Sequence, residues 1–187
     1  KKGVDIVGVV DWEAKVGKSM YEFIKTPKGD RPDVIIGSAE DVIKPGSADI
    51  VMVCTDSFTK NVFPKIKYIV EQGINVITSA EEMSYPKAQN PELAEEMDRL
   101  AKEHGVSILG TGINPGHIMD LLVLVWTGCM QDVEHITSRR VNSLSPFGPT
   151  VMAEQGIGME VEEFMAKKAS GEMAGHVGFA ESVGMMA

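Results

Sequence analysis

The stretch ADIVMVCTDSFTKNVFPKIKYIVEQGINVIT, residues 48–78, decides the fold. Its two ends, residues 48–54 and 74–78, are apolar runs, as is typical of parallel strands that are covered on both faces. Between them, residues 59–72 carry apolar side chains at helical spacing, and Gly73 follows as a stop signal. Strand, helix and strand in this order predict a right-handed crossover between parallel strands.

The same alternation of strand and helix extends through the first 110 residues. Apolar runs at residues 6–10, 34–36 and 106–109 predict further strands. Asn90 as N-cap and Pro91 at the first helical position predict the start of another helix. We therefore predict an α/β fold with a Rossmann-like, doubly wound parallel sheet.

The pattern changes after Gly116. Residues 117–130 are apolar almost all round, which predicts a deeply buried helix. Residues 133–144 predict a strand and residues 160–169 a helix. These elements indicate that the sheet is followed by the start of an α+β domain for substrate binding or dimerisation.

Two domains are predicted within the 187 residues, and each is expected to be incomplete. Residues 1–116 are predicted to form a dinucleotide-binding (Rossmann) domain that lacks its N-terminal part. Residues 117–187 are predicted to form part of a substrate and oligomerisation domain that lacks its C-terminal part. The chain begins without Met and enters a predicted strand almost at once, so we expect a piece of a longer protein.

Composition restricts the class of partner. The net charge is −9, with 18 Lys and Arg against 27 Asp and Glu, which argues against nucleic acid or an anionic membrane surface. The longest apolar stretch, residues 118–126, contains Asp120 and is far shorter than the roughly 20 residues of a spanning helix. The two cysteines, Cys54 and Cys129, lie far apart without metal-ligand spacing, so we predict no metal site and a cytoplasmic location.

Asp11 follows the first apolar run. Because ligands of doubly wound sheets bind beyond the carboxyl ends of the strands, an acidic residue here is placed to accept hydrogen bonds from the ribose of an adenine dinucleotide. The alternative is a solvated turn residue. A Gly-rich phosphate loop normally precedes this acidic residue by about 20 positions, but only ten residues precede Asp11. Either the chain starts after that loop, or Asp11 has no such role.

The segment Gly110-Thr111-Gly112-Ile113-Asn114-Pro115-Gly116 is the most informative motif. It follows a predicted strand and opens a predicted helix, with Asn114 as N-cap and Pro115 at the first helical position. Its glycines allow a ligand to approach the backbone closely, although the third glycine is one position late for a GxGxxG loop. The alternative is a tight crossover loop between domains. The polar groups that the motif brings together favour a site: Thr111, Asn114, His117 and Asp120.

Further polar residues lie at predicted functional positions. His117 and Asp120 are three positions apart, so they could form a proton-transferring pair on one helix face, although a buried histidine satisfied by a neighbour is the alternative. Arg139 and Arg140 point to opposite faces of a predicted strand, and one of them could bind a carboxylate. Other candidates follow the third and fourth strands at the ligand edge: Cys54, Thr55, Thr78, Ser79, and Glu81 with Glu82, whose alternative is a helix-start acidic pair.

Four segments together resemble one known family. They are Val-Val-Asp (9–11), Val-Cys-Thr (53–55), Asn-Val-Ile-Thr-Ser-Ala-Glu-Glu (75–82) and Gly-Thr-Gly-Ile-Asn-Pro-Gly-His-Ile-Met-Asp (110–120). The sequence resembles the 2,4-diaminopentanoate dehydrogenases, which are related to dihydrodipicolinate reductases and amino-acid dehydrogenases. The resemblance runs along the whole chain, and residues 110–120 are its specific part.

The resemblance implies a reaction and a setting. Enzymes of this family use NAD or NADP to oxidise the C4 amine of 2,4-diaminopentanoate, and they release 2-amino-4-oxopentanoate and ammonia. The reaction belongs to amino-acid degradation by ornithine fermentation. The resemblance therefore implies a cytoplasmic homo-oligomer whose partner is a small diamino acid, not nucleic acid or a membrane.

The resemblance also gives the candidate residues roles. The cofactor would be held by Asp11 at the ribose, by Cys54, Thr55, Thr78 and Ser79 along its path, and by Asn114 and Gly116 near the nicotinamide. Arg139 or Arg140 would bind the substrate carboxylate, and Glu82 or Asp120 would receive an ammonium group. His117 is the candidate general base because histidine titrates near neutrality.

Two other functions are alternatives for this sequence. A dihydrodipicolinate reductase would carry a paired-histidine motif with a lysine in the second domain, and the surroundings of His135 and His176 do not supply one. A non-catalytic nucleotide-sensing module would bind the cofactor without reducing it in the presence of an amine.

Overall fold

Parallel strands and helices alternate through the first part of the chain in the computed structural model, which describes residues 3–172 and 176–187. The strands and α-helices described in this part are β1 (Val9–Val10), β2 (Ile36–Gly37), α1 (Ala39–Val42), β3 (Ile50–Val53), α2 (Thr59–Glu71), β4 (Asn75–Thr78), α3 (Pro91–His104) and β5 (Ile108–Gly110). Those of the second part are helices: α4 (Leu121–Thr127), α5 (Pro149–Glu154), α6 (Val161–Ser170) and α7 (Phe179–Met186).

The strands form two parallel ladders. β3, β4 and β5 pair in that order, with Val53 opposite Thr78 and Thr78 opposite Gly110. β1 pairs with β2 in a separate two-stranded ladder. Because β3, β4 and β5 end in register, the residues that follow them meet at one carboxyl edge. The predicted α/β class with parallel, Rossmann-like strands is confirmed.

The main core lies between this sheet and two helices. Apolar residues of α2 and α3, among them Val62, Ile66 and Leu100, pack against buried strand residues such as Val53 and Val76. The α2 periodicity that predicted a helix is the periodicity that buries this face. The opposite face of the sheet is largely bare, since alternate residues along the strands are exposed: Ile50, Met52 and Leu109.

Local signals fixed the ends of α3. Pro91 occupies the first turn after Asn90, although the Asn90 side chain makes no capping hydrogen bond to the helix. Gly105 ends the helix in the left-handed region with φ 65°, where glycine carries no steric penalty. The predicted helix therefore begins and ends where its sequence signals indicate.

The second part of the chain departs from two predictions. The predicted buried helix 117–130 is reduced to α4, and its apolar residues face outward, with Val125 62% and Trp126 65% exposed. Residues 133–144 contain no strand, because nothing in the described chain offers them a ladder partner. The predicted helix at 160–169 is confirmed as α6. None of the helices described in the structure has the length and apolar character that a membrane span requires.

Candidate functional site

The carboxyl edge of the three-stranded sheet gathers the residues that follow its strands. The Thr111 amide donates to the Thr78 carbonyl at 3.0 Å, and the Ser79 amide donates to the Val53 carbonyl at 3.2 Å. These bonds continue the ladder beyond the strand ends. They place the start of the 110–120 loop directly beside the segment that follows β4.

The polar residues predicted to line the cofactor path differ in exposure. Thr78 is fully buried, and its hydroxyl donates to the Val53 carbonyl and accepts from the Ala80 amide. Cys54 and Ser79 are exposed at the edge, and so is Thr55, whose hydroxyl accepts from Lys65 Nζ at 2.7 Å. Thr78 thus shapes the edge, whereas the other three present groups to solvent.

A short 3-10 turn, Glu81–Ser84, crosses above β5. A Cβ at Gly110 would overlap the carbonyl group of Met83, so the first glycine of the 110–116 motif is needed for this close approach. The contact fixes the turn against the end of β5. It also brings both glutamates of the turn to the carboxyl edge.

The two glutamates have different surroundings. Glu82 Oε2 accepts a hydrogen bond from the Thr59 amide at 2.8 Å and from Asn90 Nδ2 at 3.2 Å. Glu82 therefore braces the start of α2, so its carboxylate is already engaged at the position predicted to bind an ammonium group. Glu81 is half-buried, and within the described residues its carboxylate has no hydrogen bond or ion pair. Sequence reasoning did not separate the two, because both follow β4 as adjacent acids.

The sequence predicted that a helix begins at Asn114 and Pro115, and this prediction is wrong. These residues are joined by a cis peptide bond, and the chain continues in turns until Asp120. Asp120 is the N-cap of α4, and its Oδ1 accepts from the Leu121 amide at 2.6 Å. Gly116, at φ 109°, donates its amide to Asp120 Oδ2 at 2.7 Å, so this N–H is not free to bind an anion.

The predicted pair of His117 and Asp120 is not formed. Asp120 is fully buried, and its carboxylate accepts from Gly116, Leu121 and the Ser182 hydroxyl. His117 is exposed, and its ring makes no hydrogen bond within the described chain. The pairing prediction assumed a helix over these residues, whereas the structure has turns here, which leave His117 exposed and Asp120 buried.

A segment near the end of the chain, residues 176–182, returns to the carboxyl edge; we call it the return segment. It contacts the edge at four described points: His176 with Asn114, Gly178 with Pro115 and Glu81, Glu181 with Gln89, and Ser182 with Asp120. Sequence reasoning left this segment unassigned, because contacts across 62 or 92 positions leave no local pattern.

Asp11 is exposed at the end of β1. Its carboxylate accepts from Lys15 Nζ and from the Trp12 amide, both at 2.7 Å. The hydrogen bond from Lys15, and then that from Trp12, lowers the pKa of Asp11 below its ordinary value. The residue is therefore a charged acceptor at neutral pH, as the predicted ribose contact requires.

Arg139 and Arg140 lie in the irregular segment after α4. Both are exposed, and neither side chain forms an ion pair or hydrogen bond with a described residue. Directly before them, residues 136–138 and α7 line a cavity of about 300 Å³, together with Met119. The predicted carboxylate-binding arginines therefore directly follow, in the chain, residues that line a cavity against α7.

Comparisons with known proteins agree on one kind of enzyme. Residues 117–187 match the profile of the 2,4-diaminopentanoate dehydrogenase C-terminal domain. Over all 187 residues the chain is 66% identical to a 2,4-diaminopentanoate dehydrogenase from Acetoanaerobium sticklandii. The chain spans 53% of the length of that relative.

The fold has a counterpart among solved structures. An amine dehydrogenase from Mycobacterium smegmatis matches 99% of this chain with a TM-score of 0.73 and 25% sequence identity. The match covers 54% of that protein. Both comparisons therefore concern about half of a longer dehydrogenase.

Proposed function

We propose that the protein carrying this chain, which is a relative of 2,4-diaminopentanoate dehydrogenase along all 187 residues, catalyses NAD- or NADP-dependent oxidative deamination of 2,4-diaminopentanoate. The observation that carries the proposal is the 66% identity over all 187 residues. In this reaction C4 loses a hydride and its amine becomes an imine. Water then converts the imine to 2-amino-4-oxopentanoate and ammonia.

The described residues fit a nicotinamide dinucleotide. Asp11 offers a charged acceptor at the end of β1, and the edge formed by Cys54, Ser79 and Thr111 is open to solvent or half-buried. The bound cofactor would supply the hydride acceptor. The negative charge of Asp11 disfavours a 2′-phosphate on the ribose. Lys15, which pairs with Asp11, and Lys18 both lie over the ring of Phe23, and their positive charges would offset this repulsion. NAD and NADP both stay within the proposal.

Glu81 is the acid that we assign to the reacting amine. Its carboxylate is uncommitted among the described residues and lies at the carboxyl edge, whereas Glu82 and Asp120 are held in hydrogen bonds. A carboxylate here can hold the ammonium form and take its proton, which leaves the neutral amine that hydride loss requires. His117 remains the alternative base, but no described group orients its ring.

The substrate carboxylate is assigned to an arginine. Arg139 and Arg140 are exposed and unpaired within the described residues, and they directly follow residues 136–138, which line a cavity together with Met119 and Phe179. A guanidinium group binds a carboxylate through two parallel hydrogen bonds, so one arginine suffices to orient the substrate.

The wider setting follows from the family and is part of the proposal. We expect a cytoplasmic homo-oligomer that acts in amino-acid degradation by ornithine fermentation. The exposed apolar side chains of α4, among them Leu121, Val125 and Trp126, support an association surface.

An activity assay of the whole protein tests this function. The protein is incubated with 2,4-diaminopentanoate and NAD⁺ or NADP⁺, and absorbance of the reduced nicotinamide is followed together with ammonia release. We expect reduction that depends on the diamine. Nucleotide binding without such reduction would identify a nucleotide-sensing module. Turnover of dihydrodipicolinate with NAD(P)H instead would identify a reductase.

A further inference from the structure

The ring of His176 is held by two hydrogen bonds that fix its tautomer. Nδ1 lies 2.7 Å from the Val177 carbonyl oxygen, and Nε2 lies 3.1 Å from Asn114 Nδ2. A carbonyl oxygen only accepts, so Nδ1 must carry a hydrogen. In the neutral ring Nε2 then has a lone pair and accepts from Asn114.

The tautomer fixes the amide of Asn114 in turn. The NH2 group must face His176, so the carbonyl Oδ1 faces the other way. Oδ1 accepts no hydrogen bond from a described residue, although Asn114 is half-buried and follows β5 at the carboxyl edge. The loop thus presents one oriented acceptor that lacks a donor from within the described chain.

The neighbours of His176 hold its ring in place. Phe179 packs against the imidazole with ring centroids 5.0 Å apart. Gly178, at φ 99°, lies against Pro115 and the Cβ of Glu81, where an added Cβ would clash with the proline ring. The return segment therefore places His176 against Asn114 and, two residues later, Gly178 against Pro115 and Glu81.

We propose that His176 is a positioning residue that orients Asn114, so that Asn114 Oδ1 accepts a hydrogen bond from an N–H of the amine substrate. The inference rests on the proposed function, because that function supplies the amine. In this arrangement Glu81 takes a proton from the substrate nitrogen while Asn114 fixes the direction of another N–H. His176 itself touches neither substrate nor cofactor.

Kinetics of the whole protein test the inference. We expect His176→Phe, which keeps a ring beside Phe179, to lower kcat/KM for the diamine about tenfold and to leave KM for the nucleotide unchanged. His176→Gln should restore most of the loss, because its amide oxygen can accept from Asn114. In the Asn114→Ala background, His176→Phe should cause no further loss, because the two residues act as one unit.

The matched control is Gln89→Leu. Gln89 Nε2 donates to the buried Glu181 at 2.8 Å, so this variant loosens the return segment without touching Asn114. It should lower the melting temperature but keep the KM for the diamine. Two results would overturn the inference even in an active enzyme. One is that the losses in kcat/KM from Asn114→Ala and His176→Phe multiply in the double variant; the other is that kcat/KM of His176→Gln is as low as that of His176→Phe.

A spectroscopic measurement separates this inference from the proposed function. Nitrogen-15 shifts of the histidine rings in the labelled whole protein should show His176 as the Nδ1–H tautomer, and Asn114→Ala should shift Nε2. The Nε2–H tautomer would refute the positioning role whatever the enzyme activity. The Nδ1–H tautomer in a protein without diamine-dependent activity would refute the proposed function and the substrate contact, but not the orientation of Asn114.

Discussion

The hydroxyl of Ser182 donates a hydrogen bond to the buried carboxylate of Asp120, 62 positions earlier, at 2.9 Å. Asp120 also accepts the amides of Gly116 and Leu121. One carboxylate therefore closes the 110–120 loop, starts α4 and holds the return segment against both. Because the loop carries Asn114, the geometry of the proposed site depends on this residue.

Replacing Asp120 should destabilise the protein. Asp120→Ala leaves three donors without their acceptor, and we expect a loss of about 3 kcal/mol in the free energy of unfolding by urea. Ser182→Ala removes one of these donors and should cost about 1 kcal/mol. If Asp120→Ala instead unfolds like the wild type but is inactive, Asp120 takes part in the chemistry, as its place in the 110–120 motif predicted.

Glu81 and Glu82 offer a matched pair of variants. Glu81→Gln should lower kcat/KM for the diamine by roughly 10²-fold or more, because the proton acceptor is lost, with unfolding changed by less than about 0.5 kcal/mol. Glu82→Gln should instead weaken the brace at Thr59 and cost about 1 kcal/mol of stability. Steady-state kinetics and urea titration separate the two effects. A large kinetic loss in His117→Asn, with Glu81→Gln unaffected, would assign proton transfer to His117.

Asp11 should influence the choice of nucleotide. Asp11→Asn removes a negative charge beside the expected 2′ position of the adenosine ribose. We expect the ratio of kcat/KM for NADP⁺ to that for NAD⁺ to rise roughly tenfold. An unchanged ratio would place the ribose elsewhere.

The ion pair of Asp11 and Lys15 predicts a pH effect. Lys15 lowers the pKa of Asp11, so the pair stabilises the folded state above the ordinary aspartate pKa, and this contribution is lost as pH falls through the lowered value. Lys15→Met should therefore raise the pKa of Asp11 towards the ordinary aspartate value, with the hydrogen bond from the Trp12 amide still lowering it. Carbon-13 titration of the carboxyl group measures this change. An identical titration curve in Lys15→Met would show that the pair does not form in solution.

Gly110 should not tolerate a side chain. Gly110→Ala would force its Cβ into the Met83 carbonyl group, and we expect a loss of about 2 kcal/mol or more with displacement of the Glu81–Ser84 turn. Gly148→Ala is the control, because no atom lies within 4 Å of its added Cβ and its φ is −76°. Thermal melting compares the two. Equal melting temperatures would mean that the turn does not press on β5 as described.

Whether a site residue could be predicted depends on how far apart in the chain its contacts are. Cys54, Ser79 and Asn114 could be placed at one edge from the sequence, because they follow β3, β4 and β5, and the ends of neighbouring parallel strands share one edge. Asp11 follows β1, which belongs to the separate two-stranded ladder, and its role at the ribose stays a prediction. The distinction between Glu81 and Glu82 was not accessible, since it depends on whether a side chain reaches the start of α2, 23 positions earlier. The error at His117 came from assuming helical spacing where the loop makes turns.

The sequence alone determined the parallel strands, the helices α2 and α3 that connect them, and the loop that follows β5. These features arise from patterns within one element: apolar runs, helical spacing, and glycine or proline at element ends. Only the tertiary structure decided that the return segment meets this loop, that Asp120 is a brace and that His176 orients Asn114. Such contacts join residues distant in the chain, and their geometry exists only after the core has packed.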